Sequence, residues 1–112
     1  MTEDEEPIEF SLEERRHDGT VVLTVRGELD LASAQLVEGR LAELRAANQP
    51  ALLDLDELDF MDSSGLRLVL NAAEASDATG WSFTVTHGPE QVQRLFESTR
   101  VTERLPIVPR PR

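Results

Sequence analysis

The residue types and spacing of Asp62–Ser63–Ser64–Gly65–Leu66 could carry chemistry. The stretch follows a short apolar run and opens a helical pattern. The first amides of a helix have no partner within it, and the helix dipole favours negative charge there. A serine hydroxyl at such a point stands clear of the core as a nucleophilic oxygen. A phosphate added to it would meet a ready-made backbone anion site. Serine is also an ordinary N-cap residue, so the residues alone leave two readings open, plain cap or phosphoacceptor.

Other chemistries find little support. His17 and His87 are the two histidines, both in expected turns rather than on a helix that would set an acid on the same face at metal-ligand spacing. No GxxxxGK[ST] or GxGxxG loop and no GxSxG elbow occurs. Asp54, Asp56, Glu57, Asp59 and Asp62 are dense, but the glycine and terminal glutamate of a calcium loop are missing. They read as solvated loop and strand-end charges. No catalytic residue, metal or cofactor is expected.

The elements that would position Ser63 follow from hydrophobic periodicity. Ile8 to Glu13 alternates apolar and polar, as a half-buried strand does. His17, Asp18 and Gly19 make a turn into a β-branched strand, Thr20 to Arg26. Gly27–Glu28–Leu29–Asp30 interrupts it. A helix follows, with Ser33 as N-cap and Leu36, Val37, Leu41 and Leu44 on one face, and Asn48–Gln49–Pro50 ends it. Ala51 to Leu55 is a buried central strand, and Asp56 to Asp62 a loop.

A second helix is expected from near Ser63 to about Ser76, burying Leu66, Val69, Leu70 and Ala73. Trp81 to Thr86 alternates as a strand. Pro89 fits the first turn of a third helix with Val92, Leu95 and Phe96 inward. Leu105 to Val108 adds a last short strand. The order β-β-α-β-α-β-α-(β) is that of an α/β fold, a mixed sheet with helices against it.

The 112 residues suit one domain. Residues 1–7 are acidic and expected to be loose, 8–108 form the domain, and 109–112 are a flexible tail broken by Pro109 and Pro111. Twenty-two acids against 11 bases give a formal net charge of −11. Such a chain repels nucleic-acid phosphates and anionic membranes and steers toward basic partners. It has no cysteine, so disulfides and thiolate chemistry are excluded. No apolar run is long enough to span a membrane. The acidic N-terminus is unlike a secretory signal, so a cytoplasmic location is expected.

The run Leu52–Leu53–Asp54–Leu55–Asp56–Glu57–Leu58–Asp59–Phe60–Met61–Asp62–Ser63–Ser64–Gly65–Leu66 resembles the signature of anti-anti-sigma factors, which are single-domain members of the STAS family. Gly27–Glu28–Leu29–Asp30 resembles a second landmark of that family, and Pro89 with Arg94–Leu95–Phe96 a third. The resemblance runs from about residue 8 to residue 108. It implies a STAS-like mixed sheet of four to five strands with three to four helices. It also implies that the chain is an anti-sigma factor antagonist, not an enzyme.

By the same resemblance Ser63 matches the phosphoacceptor, Ser64 is its neighbour, and Asp62 is the acid beside it. Glu28 and Asp30 border the partner surface. The implied partner is an anti-sigma factor that is itself a serine kinase. The unphosphorylated form binds it and releases a sigma factor, phosphorylation ends binding, and a serine phosphatase restores it. Met61, Gly65 and Leu66 flank the acceptor. Met61 and Leu66 serve as anchors or core, with Met61 expected to be partly exposed. Arg67 stands where many relatives have a small residue, positioned for a partner acid, a phosphate on Ser63 or plain solvent. Ser98–Thr99–Arg100–Val101 occupies the region where many relatives place a glycine. The competing implication is a STAS-like structural subunit of a transport or sensory complex that no kinase touches.

Overall fold

The computed structural model describes residues 10–111. The acidic segment 1–7, the first two residues of the expected opening strand and Arg112 lie outside the described residues. Strand β1 (Ser11–His17) turns at Asp18 and Gly19 into β2 (Thr20–Leu29), with His17 opposite Thr20. Both turn residues have positive φ, 51° and 82°, the geometry that a two-residue hairpin on twisted strands requires.

The sheet order is β1-β2-β3-β5, with β4 also pairing β2. Strand β3 (Ala51–Asp54) runs parallel to β2, from Val21 opposite Ala51 to Thr24 opposite Asp54. Strand β5 (Phe83–Val85) runs parallel to β3. Residues 58–61, expected as loop, are a strand: β4 (Leu58–Met61) lies parallel to the last third of β2. Likewise Gly27–Glu28–Leu29 does not end β2. A register shift between Gly27 and Glu28, with Gly27 at φ 91°, lets β2 leave β3 and pair with β4. A side chain at that φ would be strained.

Helix α1 (Leu31–Ala46) follows β2, α2 (Ser63–Thr79) follows β4, and α3 (Glu90–Ser98) follows β5. Asp30, not Ser33, is the N-cap of α1. Ser33 is the third helical residue and completes a capping box, its hydroxyl accepting from the Asp30 amide at 2.9 Å. Leu36 is 63% exposed, so the buried stripe of α1 is Val37, Leu41 and Leu44 without it. At Asn48 (φ 52°) the chain turns left-handed, and the Gln49 amide bonds the Leu44 carbonyl at 2.8 Å, closing the helix before Pro50.

Leu66, Val69 and Ala73 of α2 are buried, with Leu68 and Ala72, whereas Leu70 is only partly so. Val92 and Phe96 of α3 are buried and Leu95 partly. Helix α3 ends as α1 does. Arg100 (φ 61°) takes the left-handed position, and the Val101 amide bonds the Phe96 carbonyl at 3.2 Å. The expected strand at 105–108 is one parallel bridge, Val85 with Ile107, after a short 3-10 turn at Thr102–Arg104.

Inner residues of the strands, Val21, Leu23, Val25, Leu53 and Val85, form one core with the stripes of all three helices. Successive strand residues face opposite ways. Val22 and Leu52 are buried but stand outside that core, on the second face of the sheet, where Thr24 and Asp54 follow them in alternation. Asp54 is fully buried.

Candidate functional site

Parallel pairing of β2 with β4 sets the site. Glu28 lies opposite Phe60 and Leu29 opposite Met61, and the Asp62 amide donates to the Leu29 carbonyl at 3.2 Å. Two helices therefore begin side by side, α1 after Asp30 and α2 after Asp62. Glu28 and Asp30, separated from Asp62 by about thirty residues in sequence, flank it in space.

Asp62 is the N-cap of α2. Its Oδ1 accepts from the Ser64 amide at 2.8 Å and from the Gly65 amide at 3.4 Å. Ser63 is the first helical residue, exposed, and takes no part in the cap. This overturns one expectation from the sequence. The amides at the mouth of α2 do not await a phosphate, because the neighbouring carboxylate already holds two of them. A phosphoryl group on Ser63 would stand beside a like charge and point outward.

Gly65 and Leu66 are buried beneath the serines. A Cβ on Gly65 would come within 2.6 Å of Met61 Cγ and 3.1 Å of Leu29 Cδ2, so the backbone of α2 rests directly on β2 and β4. Met61, expected to be partly exposed, is only 6% exposed. It ends β4 with its side chain turned into the core against that helix, and it is packing that positions the serine rather than an anchor for a partner.

Ser64 is half-buried and Arg67 exposed. Together they line a groove between α1 and α2 with Leu31, Gln35 and Asn71. Arg67 stands one turn after Ser63, on the same side of the helix.

Sequence reasoning missed the exposed apolar residues at this edge of the sheet. Leu31 is 64% exposed, and Phe60 in β4 is 48% exposed. With Leu36 they make the exposed large apolar surface of the described residues. The signal was present in Phe60, whose neighbour Met61 faces inward, once residues 58–61 are taken as a strand.

The electrostatics of this edge are acidic. Asp30 titrates below its ordinary value because the Ser33 backbone N–H and then the Ser33 hydroxyl bond its charged form. At the opposite end of β4, Glu57 is also held below the usual carboxylate range, by Arg110 first and Arg26 second. No group of histidines, cysteines and acids capable of holding a metal occurs among the described residues.

Among the described residues no helix is long and apolar enough to cross a membrane. The chain is 28% identical over 102 residues to an anti-sigma F factor antagonist of Paenibacillus polymyxa, covering 89% of this chain and 87% of that one. Its fold matches that of an anti-sigma factor antagonist from Mycobacterium paratuberculosis, with a TM-score of 0.80 at 24% identity over 94% of this chain and 90% of the other. The anti-sigma factor antagonist SpoIIAA in its unphosphorylated form matches with a TM-score of 0.63 at 25% identity, covering 80% of this chain and 82% of that one. The family pattern of the STAS domain spans residues 11–111. The chain belongs to the STAS domain family.

Proposed function

We propose that this protein is a cytoplasmic anti-sigma factor antagonist switched by phosphorylation of Ser63. Its unphosphorylated form binds an anti-sigma factor with serine kinase activity, and a sigma factor is released. The kinase brings ATP, metal and base, so the antagonist is the substrate and not an enzyme. A serine phosphatase returns it to the binding state.

The observation that carries this reading is the exposed Ser63 hydroxyl beside a cap carboxylate that has already taken the nearest amides. A dianion there gains little from its own helix, so its cost falls on whatever surface had closed over a hydroxyl. The names of the antagonist relatives support the same role, as does the existence of a SpoIIAA form described as unphosphorylated. Glu28, Asp30, Asp62, Ser63, Ser64 and Arg67, with exposed Leu31 and Phe60, form the partner face in this reading. Gly65, Leu66 and Met61 support it from beneath.

Intact-mass spectrometry after incubation with the cognate anti-sigma kinase and ATP tests the proposal. One added phosphate is expected on the native chain and none on Ser63→Ala. An unchanged mass on the native chain, or a phosphate retained by Ser63→Ala, would remove its basis.

A further inference from the structure

Asp54 is a buried charge that the proposed switch does not use. It closes β3 on the face of the sheet away from the main core. Its Oδ2 accepts from the Thr24 hydroxyl at 3.1 Å, and its Oδ1 from the Asp56 amide at 3.1 Å and the Thr86 hydroxyl at 3.5 Å. Those neutral donors satisfy lone pairs but leave the charge uncompensated, and a buried unpaired carboxylate is strongly destabilising.

The counter-charge comes from far along the chain. Arg110 Nε donates to Asp54 Oδ2 at 2.8 Å, across 56 residues of sequence. The other arm of the same guanidinium bonds Glu57, which also accepts from Arg26 Nε at 2.6 Å. Arg26 in turn pairs with Glu13 of β1 at 2.7 Å. The tail is led to this place by backbone bonds on either side of Val85. Its amide donates to the Pro106 carbonyl at 3.1 Å, and its carbonyl accepts from Val108 at 2.9 Å. Pro109 and Pro111 flank Arg110 and restrict the backbone around it, which lowers the entropy lost when the arginine is fixed.

We propose that Arg110 is a clasp: by pairing with Asp54 and Glu57 it holds the connection between β3 and β4, residues 55–57, from the tail that follows the last backbone bond at Val108. That connection delivers β4 to its register on β2. The clasp stands whether or not Ser63 is phosphorylated. Residues 109–111 have no regular structure, yet this one side chain anchors them.

Amide hydrogen exchange on the full chain tests it, comparing the native protein with Arg110→Ala, Arg110→Lys, Asp54→Asn and the Asp54→Asn/Arg110→Ala pair. The amides to follow are Asp56, bonded to Asp54 itself, and Leu58, bonded to the Leu55 carbonyl. Arg110→Ala is expected to speed their exchange by about tenfold while leaving α1 amides unchanged. Arg110→Lys should recover part of the protection. In the Asp54→Asn background, where Arg110 keeps only its Glu57 arm, removing it should change exchange by no more than about threefold. The proposal is overturned by unchanged exchange in Arg110→Ala, by an equal effect with and without Asp54, or by a uniform rise that includes α1. If Arg110→Ala does not fold, the lysine variant decides: losing the fork should speed Asp56 exchange relative to the native chain with α1 unchanged, and native-like Asp56 exchange overturns the proposal.

Discussion

Leu29 and Met61 are partners in parallel register, and the residue after each, Asp30 and Asp62, is the N-cap of a helix. One pairing thus fixes both helix origins relative to each other. It also sets a capping carboxylate at each positive helix end, side by side at one edge of the sheet.

The proposed acceptor, Ser63, should be separable from the fold. Ser63→Ala is expected to change stability by no more than about 0.5 kcal/mol, because the side chain is exposed and outside the cap. It should bind the anti-sigma partner as the native protein does. Phosphorylation of the native chain should weaken that binding by roughly a hundredfold, about 3 kcal/mol. Titration calorimetry of the three forms reads this directly. Equal affinity of the phosphorylated and unphosphorylated forms would contradict the switch.

Removing a cap should separate stability from charge. Asp62→Ala is expected to lower unfolding free energy by about 1 kcal/mol, since the Ser64 amide loses its acceptor and the Gly65 amide keeps only the backbone carbonyl of residue 62. Asp62→Asn should retain most of that stability, because an amide oxygen still caps. Urea denaturation of the two variants distinguishes these outcomes.

Gly65 is held by close approach rather than by an unusual backbone. Alanine would improve helix propensity by about 1 kcal/mol. Its methyl, however, would meet Met61 Cγ at 2.6 Å and Leu29 at 3.1 Å. Overpacking of this kind costs about 1–3 kcal/mol, and the midpoint of that range exceeds the gain. Gly65→Ala should therefore melt lower than the native chain, and a higher melting temperature would show that the helix can lift without penalty.

Arg100 offers the reverse case. It occupies the left-handed position after α3, φ 61°, which disfavours any residue with a Cβ. Arg100→Gly relieves about 1–2 kcal/mol of strain and adds roughly 0.5–1 kcal/mol of unfolded-state entropy. A modest net gain in melting temperature is expected by calorimetry.

The acid limb of the stability curve follows from three carboxylates. Asp30, bonded by Ser33, titrates below its ordinary 3.8. Glu57 lies below 4.5 because of Arg110 and then Arg26. Glu14 also lies below 4.5, mainly because of its hydrogen bond to Arg40. Each binds protons more weakly folded than unfolded. Their stabilisation is complete above the ordinary values and is lost as pH falls through the lowered ones. The melting temperature should therefore decline below about pH 4.5. Asp30→Asn should make that decline shallower, and an unchanged acid limb in this variant would refute the assignment.

Much of this architecture was legible in the residues. β-Branched residues marked β2, an apolar run marked β3, and the stop at Asn48–Gln49–Pro50 placed the end of α1. The exposed serine at the start of α2 followed from its position after a buried strand. What stayed hidden had short-range causes. Strand β4 is four residues long and sits among acids, so its composition resembles a loop. Leu36 and Val37 are adjacent, and only the packing of α1 decides which one faces inward. Ser33 and Asp30 are both good caps, and their mutual hydrogen bonds assign each its role. Met61 could not be placed because its burial depends on Gly65, a residue without a side chain to announce the contact.

The clasp also bears on how the molecule is made. Chains emerge from the ribosome N-terminus first, and domains begin to fold as they do. Asp54 is synthesised well ahead of Arg110, so its ion pair is among the last contacts that translation makes available. The hairpin of β1 and β2 is local and can form early. The second face of the sheet reaches its final stability only when the tail has been translated and laid across it.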